Sequence, residues 1–228
     1  MAPCVIFDMD GTLVDSYPGI LQSYRYAFGA LGLPFPGEGF VRSALGKPLL
    51  SVFRVGCGLP GPEAREAVRL YREHYRRQGR EMASLYPGVW EMVGELRRKG
   101  YFLGIATLKQ EDFARDILTR VGLLPCFAMV QGMDSQDSRT KGEMLRCCRK
   151  AAGALPGQTV LVGDSPEDGA AAREAGAAFV AAGYGYGCWT PESLQEAGAL
   201  GLAGSPGEVP WQVEQCMRRK GRPVWDKS

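Results

Sequence analysis

The stretch of residues 4–11 of the chain reads Cys-Val-Ile-Phe-Asp-Met-Asp-Gly. Its first four residues form a short, continuous apolar run, which is typical of a strand buried on both faces of a parallel sheet. Asp8 and Asp10 follow two positions apart on an extended segment, so both carboxylates point to the same side. Gly11 then permits a sharp turn and a close approach of backbone N–H groups to an anion. The stretch therefore predicts a buried strand that ends in a pair of acids.

A regular alternation of helix and strand follows Tyr86-Pro87-Gly88. Apolar runs predict further strands at Phe102 to Ala106, Phe127 to Val130, Val160 to Val162 and Ala178 to Val180. Amphipathic segments predict helices at Pro87 to Lys99, Glu111 to Val121, Lys141 to Ala152 and Pro166 to Ala175. Parallel strands joined by right-handed helical crossovers give an α/β fold with a doubly wound, Rossmann-like parallel sheet. Such sheets carry their functional sites at the carboxyl ends of their strands.

The segment between the first strand and Tyr86 has a different, helical pattern. Ile20, Tyr24 and Phe28 recur at helical spacing. Prolines separate successive short helices at Pro34, Pro36, Pro48, Pro60 and Pro62. We therefore predict an all-helical cap domain over residues 16–85, inserted into a core formed by residues 1–15 and 86–228. A chain of 228 residues fits one main domain with such an insertion better than two full domains.

The composition is that of an ordinary soluble protein, with 45% hydrophobic and 23% charged residues. The 27 basic and 25 acidic residues leave a net charge of +2, which argues against binding to a nucleic-acid polymer or a membrane surface. The longest uncharged stretch, Ala175 to Thr190, is too short to span a bilayer. We expect the basic end from Arg218 to Arg222 to be solvated.

The cysteines indicate a reducing compartment. There are seven of them, an odd number, and none forms a CxxC pair. The amino terminus also lacks the basic flank and long apolar run of a signal peptide. We therefore expect a cytoplasmic protein with reduced thiols.

Polar residues converge at the predicted strand ends. A phosphoryl group needs an acceptor nucleophile, a proton donor, a divalent cation and several cationic or N–H donors on its oxygens. The side chains that follow the strands, together with one lysine that begins a helix, meet these needs. They are Asp8, Asp10, Thr107, Lys141, Asp164 and Asp168.

At this point the sequence resembles a known family. Asp8-Met9-Asp10-Gly11-Thr12 is similar to the first motif of the haloacid dehalogenase superfamily, in its phosphoglycolate-phosphatase-like branch. Gly104-Ile105-Ala106-Thr107 resembles the second motif, Lys141 the third, and Val162-Gly163-Asp164-Ser165-Pro166-Glu167-Asp168 the fourth. The motifs occur in the family's order and frame nearly the whole chain. The resemblance implies a phosphatase with a doubly wound core and a helical cap.

The resemblance also implies a role for each residue. Asp8 is the nucleophile that forms an aspartyl-phosphate, and Asp10 is the general acid and then the general base. Mg²⁺ is the implied cofactor, held by the Asp8 and Asp164 carboxylates and the Asp10 carbonyl, with Asp168 beside them in the metal site. The Thr107 hydroxyl and the Lys141 ammonium bind the phosphoryl oxygens, with backbone N–H groups near Gly11 and Leu108 helping. Many relatives have Asn or Ser where this chain has Leu108.

Three of these residues have structural alternatives. Ser165-Pro166-Glu167-Asp168 fits a capping box, which would make Asp168 a helix cap. Thr140-Lys141-Gly142-Glu143 has the same spacing, which would make Lys141 a solvated charge in a first helical turn. Thr107 can equally be the N-cap of the following helix.

The leading hypothesis is a Mg²⁺-dependent hydrolase of a small soluble phosphomonoester. Phosphoglycolate is the substrate that the resemblance implies first, and a nucleotide 5′-phosphate is a close second. Arg42 and Lys47, in the insertion, are candidates for binding a second anionic group of the substrate. We expect a monomer or a weak homodimer.

Other classes remain as alternatives: a sugar-phosphate mutase, a non-catalytic relative, and a phosphoaccepting switch similar to receiver domains. The helical insertion argues against the switch. So does Asp10, because an acid two residues beyond the nucleophile promotes turnover of a phosphate that a switch must keep.

Overall fold

The structure, a computed structural model, describes residues 2–218. Two compact units make up the chain: the first runs up to Val14 and resumes at Leu85, and the second is Asp15–Ser84. The basic residues 219–222 lie outside the described part, so the prediction of a solvated end there stays a prediction. No helix among residues 2–218 is long and apolar enough to cross a membrane.

The strands within residues 2–218 are β1 (Cys4–Phe7), β2 (Val14–Asp15), β3 (Ser84–Leu85), β4 (Phe102–Gln110), β5 (Met129–Met133), β6 (Thr159–Gly163), β7 (Ala178–Ala182) and β8 (Ala199–Ala203). The α-helices are α1 (Tyr17–Ala30), α2 (Glu38–Ala44), α3 (Leu49–Ser51), α4 (Gly61–Arg77), α5 (Val89–Arg98), α6 (Glu111–Arg120), α7 (Lys141–Ala152), α8 (Pro166–Ala175), α9 (Pro191–Ala197) and α10 (Val209–Arg218).

The first unit is built on a six-stranded parallel sheet with the strand order β5-β4-β1-β6-β7-β8. β1 is central, and all four of its residues are buried. Cys4 and Ile6 pack into a core with Leu145 and Cys148 of α7, while the ring of Phe7 meets that of Phe127 edge-on. Because alternate residues of a strand point to opposite faces, both faces of the sheet are covered. The predicted α/β fold with a doubly wound parallel sheet is confirmed.

The second unit is helical, and aromatic side chains fill its interior. α1 packs along α4. The ring of Phe53, in a π-helical turn at Val52–Gly56, contacts those of Tyr24 and Phe28 from α1. Tyr24 and Phe28 are two of the positions that recur at helical spacing in the sequence, so that periodicity indicates the buried face of α1.

Several element boundaries differ from the sequence prediction. β4 continues past Ala106 to Gln110, and its pairing with β5 shifts register between these two residues, as at a β-bulge. β5 begins at Met129 and not at Phe127, because Leu124–Cys126 forms a short 3₁₀ turn that delays it. β8, α9 and α10 were not predicted. β8 was missed because three of its five residues are alanine or glycine, which give it little apolar patterning.

Candidate active site

The register of the central strands brings the predicted site residues to one edge of the sheet. Phe7, the last residue of β1, lies opposite Ile105 of β4 and Val162 of β6. Asp8 is therefore beside the ends of two neighbouring strands, and its N–H donates to the Val162 carbonyl at 2.9 Å. Thr107 and Asp164 each follow their strand's partner residue by two positions. Parallel pairing thus collects polar groups from distant parts of the sequence.

Three carboxylates form the centre of the site. Asp8, Asp164 and Asp168 are all buried, and one oxygen of each lies within 4.8 Å of the others. Burial raises the pKa of Asp8 to about 6, with Lys141 opposing the shift and Asp168 adding to it. Burial, reinforced by the charges of Asp8 and Asp168, also raises the pKa of Asp164 well above its usual range. The cluster concentrates negative charge that ordinary burial would not tolerate without cations.

Lys141 joins two of these acids. Its ammonium lies 2.8 Å from Asp8 Oδ1 and also pairs with Asp168 Oδ1. Burial lowers the pKa of Lys141, but the Asp168 and Asp8 carboxylates outweigh that effect, so the pKa is raised and the ammonium stays charged. The Lys141 side chain is only 10% exposed, so Lys141 is a nearly buried cation and not a solvated charge. The predicted capping box also forms beside it, because Glu143 N–H donates to Thr140 Oγ1.

Asp168 is both a helix cap and a member of the acid cluster, the two alternatives that the sequence offered for it. Its Oδ2 accepts from Ser165 N–H at 3.0 Å and from Ser165 Oγ at 2.7 Å, which completes the capping box at the start of α8. Its Oδ1 faces Lys141. The Asp168 side chain therefore caps α8 with one oxygen and contacts the Lys141 ammonium with the other.

Asp10 has a partner that the sequence analysis did not single out. Lys109 Nζ lies 2.9 Å from Asp10 Oδ2, and the Lys109 side chain is only 6% exposed. The extension of β4 beyond Ala106 carries Lys109 to the site. Lysine is the residue type that is most often solvated, so nothing in its immediate sequence marked it out.

Thr107 and Lys109 belong to the same irregular end of β4. Thr107 is buried, and its hydroxyl oxygen accepts from Lys109 N–H at 3.2 Å, which leaves the hydroxyl hydrogen able to donate elsewhere. Thr107 is not a helix cap, because α6 begins four residues later with Gln110 as its N-cap. The side chain of Leu108 packs against the hydrophobic core, so only its backbone is available for polar contacts.

Gly11 and a glycine-rich loop fix the orientation of Asp164. Gly11 has φ +81°, and a Cβ there would collide with the Asp164 carboxylate. On the loop, Tyr186 N–H donates to Asp164 Oδ2 at 2.9 Å, and a Cβ on Gly185 would collide with the Gly11 carbonyl. The Tyr184 hydroxyl donates to the Thr12 carbonyl at 3.0 Å. The segment from Gly183 to Gly187 is therefore a support for the acid cluster.

The donor set fits a divalent cation. When all four acids are ionised, Asp8, Asp10, Asp164 and Asp168 carry four negative charges against the two positive charges of Lys109 and Lys141, so two negative charges among these six side chains are left without a cation. Oxygen donors are the ligands that Mg²⁺ prefers. Asp164 accepts only neutral donors, from Tyr186 and Thr12, within the described residues. A dication would supply the missing charge.

Arg42 and Lys47, the predicted substrate-binding residues of the insertion, belong to the second unit. Arg42 lies in α2 with its guanidinium 4.3 Å from the centre of the Tyr17 ring. Tyr17 donates a long hydrogen bond, 3.4 Å, to Glu38 Oε2. Lys47 is exposed in the turn between α2 and α3.

Comparison with known proteins gives a consistent family. The profile described as haloacid dehalogenase-like hydrolase matches residues 5–182. The solved structure of a haloacid dehalogenase-like family hydrolase from Streptococcus pneumoniae superposes with a TM-score of 0.84 at 30% identity, covering 92% of this chain and 97% of that one.

Curated relatives carry different activities in their names. A phosphoglycolate phosphatase of Chromobacterium violaceum is 33% identical over 190 residues, which are 80% of this chain and 85% of that protein. The tyrosine-protein kinase PtkA of Mycobacterium tuberculosis is 37% identical over 184 residues, which are 80% of this chain but only 62% of the kinase's length. The profile match over most of the chain, together with the shared fold, leads to one conclusion: this chain belongs to the haloacid dehalogenase-like hydrolase family.

Proposed function

We propose that the chain is a Mg²⁺-dependent phosphomonoester hydrolase that works through an aspartyl-phosphate on Asp8. The observation that carries the proposal is the buried cluster of Asp8, Asp164 and Asp168 bridged by Lys141. A buried carboxylate beside a fixed cation has the properties of a nucleophile for phosphoryl transfer.

In the first step, an Asp8 oxygen attacks phosphorus and the bond from phosphorus to the ester oxygen breaks. Asp10 gives its proton to the departing alkoxide, which leaves as an alcohol. Lys141 and the Thr107 hydroxyl hold the phosphoryl oxygens, and the backbone N–H groups near Gly11 and Leu108 add further donors.

In the second step, Asp10, now ionised, takes a proton from a water molecule as that water attacks phosphorus. The bond from phosphorus to Asp8 breaks, inorganic phosphate leaves, and the Asp8 carboxylate is restored. Asp10 has regained its proton, so the cycle is closed.

Mg²⁺, when bound, supplies positive charge that offsets the negative charge of the phosphoryl oxygens and of the acids around them. Asp8 and Asp164 would hold it with carboxylate oxygens, and Asp10 with its backbone carbonyl. Asp168 contributes charge to the metal site while its two oxygens hold Ser165 and Lys141.

The substrate class that we propose is a small phosphate ester, with phosphoglycolate first and a nucleotide 5′-phosphate second. The name of the Chromobacterium relative supports the first choice. Arg42 and Lys47 would contribute to the choice of substrate by binding a second anionic group. We also propose a cytoplasmic location, which the seven free thiols support.

The experiment is release of inorganic phosphate from phosphoglycolate, a nucleoside 5′-monophosphate and p-nitrophenyl phosphate, with EDTA and with Mg²⁺. We expect Mg²⁺-dependent hydrolysis by the wild type and none by Asp8→Asn, because the amide keeps the shape but cannot attack. The surface variant Glu196→Gln serves as the control. Hydrolysis by Asp8→Asn at the wild-type rate, or none by the wild type, would reject the proposal.

A further inference from the structure

Lys109 is a nearly buried cation that the proposed mechanism does not use. Its ammonium contacts Asp10 Oδ2 at 2.9 Å, and its side chain is 6% exposed. Withdrawing an ammonium group from water costs free energy, and a carboxylate partner offsets that cost only in good geometry. An exposed lysine, such as Lys150 on α7, keeps its ammonium group in water and has no such cost.

The backbone gives Lys109 a fixed position. Its N–H donates to the Thr107 hydroxyl oxygen at 3.2 Å, and both residues lie where the register of β4 shifts against β5. Residues two apart on a strand share a side, so the irregular end of β4 presents a hydroxyl and an ammonium together. The Leu108 side chain between them packs into the core and anchors the segment.

We propose that Lys109 is a positioning residue that holds the Asp10 carboxyl group in place for both proton transfers of the reaction. The inference rests on the proposed function, because it assigns Asp10 the role of acid and base. With Oδ2 engaged by Lys109, the other oxygen of Asp10 carries the proton that passes to the leaving alkoxide. In the second step the same oxygen accepts the proton of the attacking water, while the ammonium keeps the carboxylate oriented.

Two other roles make different predictions. A lysine that binds a second anionic group of the substrate affects KM for charged substrates and leaves the proton transfers alone. A lysine that only stabilises the fold lowers the melting temperature and reduces activity equally for every substrate. The positioning role alone depends on how much the leaving group needs a proton.

The test compares Lys109→Met, which keeps most of the side-chain length without the charge, with Lys150→Met, the matched loss of an exposed lysine. Single-turnover rates are measured for an alkyl phosphate and for p-nitrophenyl phosphate, whose phenolate leaves without help. For Lys109→Met we expect the alkyl ester to slow by at least about tenfold and the aryl ester to slow by less than about threefold. Lys150→Met should match the wild type on both.

The second step provides an independent readout. With p-nitrophenyl phosphate, Lys109→Met should release a burst of nitrophenolate and then turn over slowly, because Asp10 activates water poorly. The burst amplitude counts folded enzyme, so a loss of folded protein is separated from a loss of rate. The rise in melting temperature caused by Mg²⁺ should be retained, since the proposed function holds Mg²⁺ with the Asp8 and Asp164 carboxylates and the Asp10 carbonyl and gives Lys109 no part in that site.

A double-mutant cycle with Asp10→Asn shows whether Lys109 acts through Asp10. Lys109→Met should have little further effect on the alkyl ester in the Asp10→Asn background. Lys109→Arg, which restores a cation, should recover part of the alkyl-ester rate.

An equal loss for both esters, a change confined to KM, or full additivity with Asp10→Asn would overturn the assignment of Lys109. In those cases the proposed function would stand if Asp10→Asn itself still distinguished the two esters. An Asp10→Asn variant that slows both esters equally would instead reject the acid–base role of Asp10 and with it the assignment of Lys109, whereas the aspartyl-phosphate on Asp8 is tested separately by Asp8→Asn.

Discussion

Gly11 is a single position at which the acid cluster allows only glycine. Its φ of +81° and the nearby Asp164 carboxylate together exclude a side chain. Gly11→Ala should destabilise the fold by about 1–2 kcal/mol through backbone strain. It should also weaken Mg²⁺ binding by at least about tenfold, because Asp164 must move. Isothermal titration with Mg²⁺ and urea unfolding measure the two effects.

Gly100 offers a matched control for that prediction. It has φ +80°, and no heavy atom within 4 Å would meet an added Cβ. Gly100→Ala should therefore lose a similar amount of stability and bind Mg²⁺ like the wild type. If both variants bind Mg²⁺ equally well, Asp164 is not a metal ligand constrained by Gly11.

At the scale of elements, α8 begins at a cap that is also part of the site. Ser165 Oγ accepts from Asp168 N–H at 3.3 Å and donates to Asp168 Oδ2, whereas Thr190 and Ser193 form a similar box on α9 away from the acid cluster. Ser165→Ala and Thr190→Ala should each cost about 1 kcal/mol of stability. Only Ser165→Ala should also lower kcat, because Asp168 and hence Lys141 lose a support. Equal kcat values for the two variants would show that the cap and the site are independent.

The elements also show which parts of the molecule the sequence could predict. β1, α7 and α8 were predicted to the residue, because an apolar run and two capping signals mark them. The extension of β4 was missed, since a bulge depends on pairing with β5 and not on local propensity.

Most residues of the candidate site, like most elements of the fold, could be predicted from the sequence. Asp8, Asp164, Asp168 and Lys141 were expected together, and the structure brings them together. Lys109 was missed because its burial follows from the irregular end of β4. The glycines near Asp164 carried a signal, since three alternate glycines in Gly183 to Gly187 indicate close backbone approach.

At the scale of the whole molecule, the surplus negative charge of the site should reduce the stability of the metal-free protein. Asp164→Asn removes one buried charge but can still accept from Tyr186 N–H. Its metal-free form should therefore be more stable than the metal-free wild type, while its gain on adding Mg²⁺ should be smaller. Melting temperatures in EDTA test the higher metal-free stability, and those in Mg²⁺ test the smaller gain. Glu196→Gln is the surface control. A metal-free Asp164→Asn that melts below the wild type would contradict the charge argument.

In the proposed function, residues of the first unit carry out the chemistry and residues of the second unit contribute to the choice of substrate. Arg42→Ala and Lys47→Ala should lower kcat/KM for a carboxylated ester more than for p-nitrophenyl phosphate, because the proposed function assigns these two cations to a second anionic group of the substrate. Arg65→Ala, an exposed arginine of the same unit, is the control. If the ratio of the two kcat/KM values stays at the wild-type level in both variants, these residues do not select the substrate.

In the proposed mechanism, Asp8 carries the phosphoryl group during turnover. It can be tested by mass spectrometry of Asp10→Asn, quenched in acid during reaction with p-nitrophenyl phosphate, because without the Asp10 base this variant should form the intermediate faster than it hydrolyses it. We expect one added phosphoryl group per chain, on the peptide that contains Asp8 and absent from Asp8→Asn/Asp10→Asn. An unmodified Asp8 peptide during active turnover, or a phosphoryl group on another residue, would contradict it.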